Sequence, residues 1–65
     1  MFKKHIKRLR NEAKMTQSQL ANRLGIPKST VNSWEQGYSH PRFLQIKPLC
    51  RILDIEIEEL FDYDE

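Results

Sequence analysis

This chain is poor in the residues that hold small proteins together covalently or through a metal. Its 65 residues include one cysteine, Cys50, which excludes a disulfide within the chain. The two histidines, His5 and His40, are isolated, so no Cys/His set has the spacing of zinc ligands. With two glycines and three prolines there is no glycine-rich phosphate loop, no repeat and no low-complexity tract. No run approaches 18 consecutive apolar residues, which excludes a membrane-spanning helix. The opening MFKKHIKRLR is basic but has no apolar run or cleavage site behind it, so it does not read as a secretory signal. The expectation is a soluble, cytoplasmic protein, complete as given. A single core of this size is marginally stable without help. With disulfide and metal set aside, self-association is the favoured source of that help.

What is present is charge, sharply segregated. All eleven Lys and Arg fall in residues 1–53, where only Glu12 and Glu35 oppose them, and the other seven acids crowd into residues 54–65. A basic body suits a polyanion, with the acidic end turned away from it; ordinary solvated surface is the plain alternative.

The apolar spacing predicts short helices throughout. Residues 3–14 place Ile6, Leu9, Ala13 and Phe2 on one face. A second helix starts at Thr16, where TQSQ fits a capping box, and ends at Gly25. A third runs from about Pro27, taken as its first helical residue, to Gln36, and Gly37 closes it. The fourth ends near Leu53. Pro48 would break a helix begun near Arg42 at a cost of ~3 kcal/mol, so a late start around Lys47 is favoured over a bent helix. The segment DIEIEELF alternates like a strand yet gathers Ile57, Leu60 and Phe61 on one helical face. A short helix is favoured, because acids at its start suit the helix dipole.

The segment QSQLANRLGIPKSTVNSWEQ, residues 17–36, reads as two helices packed at a steep angle. Leu20, Leu24, Val31 and Trp34 face inward, Ile26 plugs the corner, Ala21 allows close approach and Gly25 makes the turn. This pattern resembles the helix-turn-helix of the lambda-type repressor and Cro family, the Xre-like regulators. The likeness runs from about Ile6 to Phe61 through LRNEAKMTQSQLANRLGI, STVNSWEQG and PRFLQIKPLCRILDIEIEELF. It implies an all-α fold: one domain over residues 1–65, a compact bundle of about five short helices with a central helix-turn-helix at 17–36 and an acidic tail at 54–65. The chain departs from the family at Pro27, where a capping Ser or Thr is usual, and at Pro48, where a helix former is common.

The resemblance also implies a site. The third helix would enter the major groove of double-stranded DNA with Lys28, Ser29, Asn32 and Ser33 as base-reading residues. Their chemistry fits: Lys28 can donate to guanine O6 and N7, Asn32 can pair with adenine, and the serines donate or accept. Gln17, Arg10, Thr30, Gln36 and Arg42 are the phosphate-binding candidates. Gln17 would act from a helix N-terminus and Arg42 from just before helix four, with Ser39 and His40 weaker candidates in the same loop. Arg10 and Glu35 would also form a structural pair, the carboxylate holding the guanidinium while its remaining donors reach a phosphate. Ile57, Phe61 and Tyr63 are left as candidates for a dimer interface. Trp34, Cys50, Leu49 and Leu53 read as core.

No nucleophile–base pair, cofactor site or small-molecule effector site is evident, so no enzyme is read here. The leading reading is a dimeric transcriptional repressor on a roughly palindromic operator. The alternative is an antitoxin-like or partner-binding module on the same fold. An RNA binder is disfavoured, because no aromatic platform interrupts the basic face.

Overall fold

The computed structural model describes the backbone of residues 2–60 and the side chains of residues 5–60. Five helices follow one another: α1 Phe2–Glu12, α2 Gln17–Leu24, α3 Lys28–Gln36, α4 Phe43–Leu53 and α5 Ile57–Leu60. The described residues hold no strand, which settles the last segment as a helical turn. Helix α3 lies across both α1 and α2, α4 backs onto α2, and α5 closes the bundle against α1 and α4.

The core draws on every helix: Ile6 and Leu9, Leu20 and Ala21, Val31 and Trp34, Leu49 with Cys50 and Leu53, and Leu60. Each large apolar side chain removed from water contributes about 1.5–3 kcal/mol, so the apolar stripes of five short helices hold one another in place. Ala13, Met15, Leu24 and Ile26 are only partly buried and pack around this centre.

The four longer helices end in the same way. A residue with left-handed backbone follows each, and its amide and the next one bond back to the last turn. Gly25 (φ 72°) ends α2 and Gly37 (φ 84°) ends α3, as their glycines foretold; Lys14 (φ 60°) and Asp54 (φ 58°) do the same for α1 and α4. The second amide of each pair reaches back over five residues: Met15 to the Arg10 carbonyl, Ile26 to Ala21, Tyr38 to Ser33 and Ile55 to Cys50. These bonds satisfy carbonyls that a helix end leaves open. They also explain why α1 stops two residues sooner than its apolar pattern suggests.

Two boundaries differ from expectation. Pro27 is not the first helical residue; with ψ 148° it is the N-cap, and α3 begins at Lys28. Proline fixes φ but leaves ψ free, so it fits either position. It offers no side-chain cap, and the turn is instead closed by the Thr30 amide donating to the Pro27 carbonyl at 3.0 Å. The late start of α4 is also wrong: the helix begins at Phe43 and carries Pro48 inside it. Two local terms offset the proline. Gln45 caps the start, its Oε1 accepting from the Arg42 amide at 2.7 Å. Proline lacks the amide that would donate to the carbonyl of Leu44, a residue that is 82% exposed, so no buried core position bears the loss.

Candidate nucleic-acid interface

Helix α2 is held at its start by a full capping box. The Gln19 amide donates to Thr16 Oγ1 at 3.0 Å, and the Thr16 amide donates to Gln19 Oε1 at 2.8 Å. The chain then turns through Gly25, whose added Cβ would meet nothing within 4 Å, so backbone conformation alone calls for glycine there. Ile26 tucks against the core and α3 sets out across the bundle. Val31 and Trp34 face inward, which turns Lys28, Ser29, Asn32 and Gln36 to solvent and leaves Thr30 and Ser33 half-buried. Exposed Arg42 stands at the start of α4. The loop between them is tied to α3 by the Ser39 hydroxyl, which donates to Ser33 Oγ at 2.9 Å.

Beneath this surface lies a charged network. Arg10 and Glu35 are only 8% and 9% exposed. Arg10 Nε donates to Glu35 Oε2 at 2.6 Å and Nη2 to Oε1 at 3.1 Å, a two-pronged pair across 25 residues of sequence. Its Nη1 donates to the Met15 carbonyl at 2.7 Å. The structural pair is thus present, but the guanidinium is turned inward. The pair ties α1 to α3, and burial opposes the direct phosphate contact expected of Arg10.

Gln17 joins the same carboxylate: its Nε2 donates to Glu35 Oε1 at 2.9 Å and to Asn32 Oδ1 at 3.3 Å. With both amide protons engaged, the Gln17 side chain keeps only an acceptor, which a phosphate cannot use. Any phosphate at this helix end must be met by backbone amides. Burial alone would raise the Glu35 pKa. The hydrogen bonds from Arg10 and Gln17, with the positive charges of Arg10 and Lys7, outweigh it and hold the carboxyl below the ordinary glutamate value.

Residues 6–60 match the helix-turn-helix family model, which is most of the chain. The chain belongs to the helix-turn-helix family. It is 33% identical over 60 residues to an HTH-type transcriptional regulator of Archaeoglobus fulgidus, covering 92% of this chain and 84% of that one. It is 31% identical over 65 residues to RstR, the cryptic phage CTXphi transcriptional repressor of Vibrio cholerae, covering all of this chain and 59% of RstR. It is 28% identical over 64 residues to BcrR, an HTH-type transcriptional activator of Enterococcus faecalis, covering 98% of this chain but 31% of BcrR. The chain therefore spans less than a third of BcrR and less than two thirds of RstR. No solved structure gives a significant match.

The helix-turn-helix protein also carries an apolar surface that the sequence pattern left partly unmarked. Phe43 and Leu44 are 85% and 82% exposed and Ile57 is 49% exposed. With Lys47, Pro48 and Arg51 they line an open groove of about 990 Å³ between α4 and α5. Ile57 was anticipated as an interface residue; Phe61 and Tyr63 lie outside the described residues. The signal for Phe43 and Leu44 was available, since both are apolar and neither belongs to the Leu49–Leu53 stripe. Assuming a late start to α4 placed them in a loop and hid it. Among the described residues, no helix is long and apolar enough to cross a membrane.

Proposed function

We propose that this helix-turn-helix protein is a sequence-specific regulator of transcription that binds double-stranded DNA as a dimer and acts as a repressor. The observation that carries the reading is the outward face of α3. Lys28, Ser29 and Asn32 stand exposed on a helix whose opposite side is anchored by Val31 and Trp34, so polar donors and acceptors project from a rigid rod. Such a rod fits the major groove, where each base pair presents its own pattern of donors and acceptors. Lys28, Ser29, Asn32 and Ser33 are the base-reading residues. Thr30, Gln36, Arg42 and the backbone amides at the start of α2 meet phosphates on either side. Arg10 and Glu35 act from beneath, fixing α1 to α3.

Dimerisation is supported by the exposed Phe43, Leu44 and Ile57, which one chain leaves open to water. The groove is flanked by Lys47 and Arg51 on α4 and by Glu56 just before α5, with Glu58 and Glu59 on that helix. Under a two-fold axis the basic helix of one copy can meet the acidic turn of the other, as an isologous contact requires. Two copies then read half-sites about one helical turn apart on a roughly palindromic operator.

The test is titration of labelled duplexes taken from upstream of the protein's own gene, with base substitutions and at two salt concentrations. Contacts to 6–10 phosphates predict an affinity loss of about 10³–10⁵-fold between 50 and 200 mM salt. Binding that ignores both sequence and salt would remove the proposal.

A further inference from the structure

The network under α3 fixes which end of the Asn32 amide faces outward. Glu35, doubly bonded to Arg10 and held ionised, can only accept hydrogen bonds. Gln17 must therefore turn its amide nitrogen, not its oxygen, towards Oε1, where the 2.9 Å contact is found. The second proton of that nitrogen points to Asn32, which can answer only with its oxygen, and Asn32 Oδ1 lies 3.3 Å away. The Asn32 nitrogen, with two protons, is left for the solvent side of α3, where this residue is exposed. Polarity thus passes in one direction from a buried charge to an exposed amide: carboxylate, donor, acceptor, donor.

We infer that Asn32 is a one-way donor that selects guanine, whose major-groove edge offers two acceptors, rather than adenine, whose edge asks for a donor and an acceptor together. Gln17 and Glu35 are the positioning residues of this choice. Unrestrained, an asparagine would be expected to favour adenine, so the network reverses the preference its side-chain type suggests. The inference rests on the DNA-binding reading above and sharpens it at one base position.

The experiment is selection of bound duplexes from a library randomised across both half-sites, using the full chain. Wild type is compared with Asn32→Ala, Asn32→Asp and Gln17→Leu. Asn32→Ala identifies the position read by this residue, as the one where wild type enriches guanine and the variant enriches nothing. Asn32→Asp keeps an acceptor for Gln17 but presents oxygen outward, so that position should change to cytosine, whose N4 amine donates. Gln17→Leu frees the amide to rotate and should admit adenine there as well as guanine, with the rest of the motif unchanged.

Replacing that guanine by 7-deazaguanine should weaken wild-type binding roughly three- to tenfold, the equivalent of one hydrogen bond. Asn32 is exposed, so its variants test the inference even if Gln17→Leu fails to fold, which the circular dichroism of each variant reports. Enrichment of adenine by wild type, or an Asn32→Asp motif identical to the wild-type one, overturns the inference while leaving the DNA reading intact. The absence of any enriched motif for wild type overturns the DNA reading itself.

Discussion

Removing the Glu35 carboxylate should cost this domain much of its stability. Arg10 and Glu35 are joined by two hydrogen bonds of 2.6 and 3.1 Å, and their side chains are 10% and 3% exposed. Glu35→Ala leaves a nearly buried guanidinium with the Met15 carbonyl as its one remaining partner among the described residues. Breaking a buried pair from one side costs about 3–5 kcal/mol, because the surviving charge has lost both water and its counterion. A 65-residue domain at about 0.05–0.15 kcal/mol per residue holds about 3–10 kcal/mol in all. The variant is therefore predicted to lose a large share of the domain's stability at 25 °C. Urea unfolding followed by the fluorescence of Trp34, the one tryptophan and a buried neighbour of Glu35, measures this directly.

The double variant Arg10→Met with Glu35→Leu should recover most of the loss, since an apolar pair of similar size carries no desolvation cost. Acidity offers a second view of the same pair. Because the native Glu35 pKa lies below the ordinary value, the stability it contributes is fully present above about pH 4.3 and fades as pH falls through the native pKa. The stability difference between wild type and Glu35→Gln should thus be constant above that pH and shrink below it. A Glu35→Ala loss under about 1 kcal/mol, or a double variant no more stable than the single one, would refute the reasoning.

Three further outcomes can be measured on the same protein. Gly25→Ala should lower stability by about 1–2 kcal/mol although its Cβ meets open space, while Lys14→Gly should raise it by about 0.5–1 kcal/mol by relieving the same left-handed backbone; opposite signs in urea melts are the criterion. Cys50 should react slowly with a thiol reagent at pH 8 and at the free-cysteine rate in urea, because burial, then the charges of Glu56, Glu58 and Glu59, push its thiol pKa up. Leu44→Lys should leave the fold and its melting almost unchanged, since the side chain is 82% exposed, yet shift sedimentation from dimer to monomer; a variant that still dimerises would place the interface elsewhere.

Much of the fold was legible because its causes are local. Apolar spacing marked the buried faces of the first four helices, Thr16 with Gln19 marked the start of α2, and Gly25 and Gly37 marked two helix ends. Each of these signals acts within one or two helical turns of its own residue. Lys14 and Asp54 end helices in the same left-handed way without advertising it, because a tolerated strain leaves no mark in residue type. The start of α4 was misjudged for a related reason. The local cost of Pro48 is visible in sequence, whereas the cap from Gln45 and the exposed position of Leu44 appear only with the helix built.

Residue types and their spacing were enough for an all-helical family member with a polar, exposed face on α3. What that face can say chemically depends on contacts between distant parts of the chain. Arg10 lies 25 residues from Glu35, and Gln17 lies 15 and 18 residues from Asn32 and Glu35, so no periodicity links them. Only when α3 crosses α1 and α2 do a guanidinium, a carboxylate and two amides meet. The charge buried there then sets the direction of every hydrogen bond out to the surface.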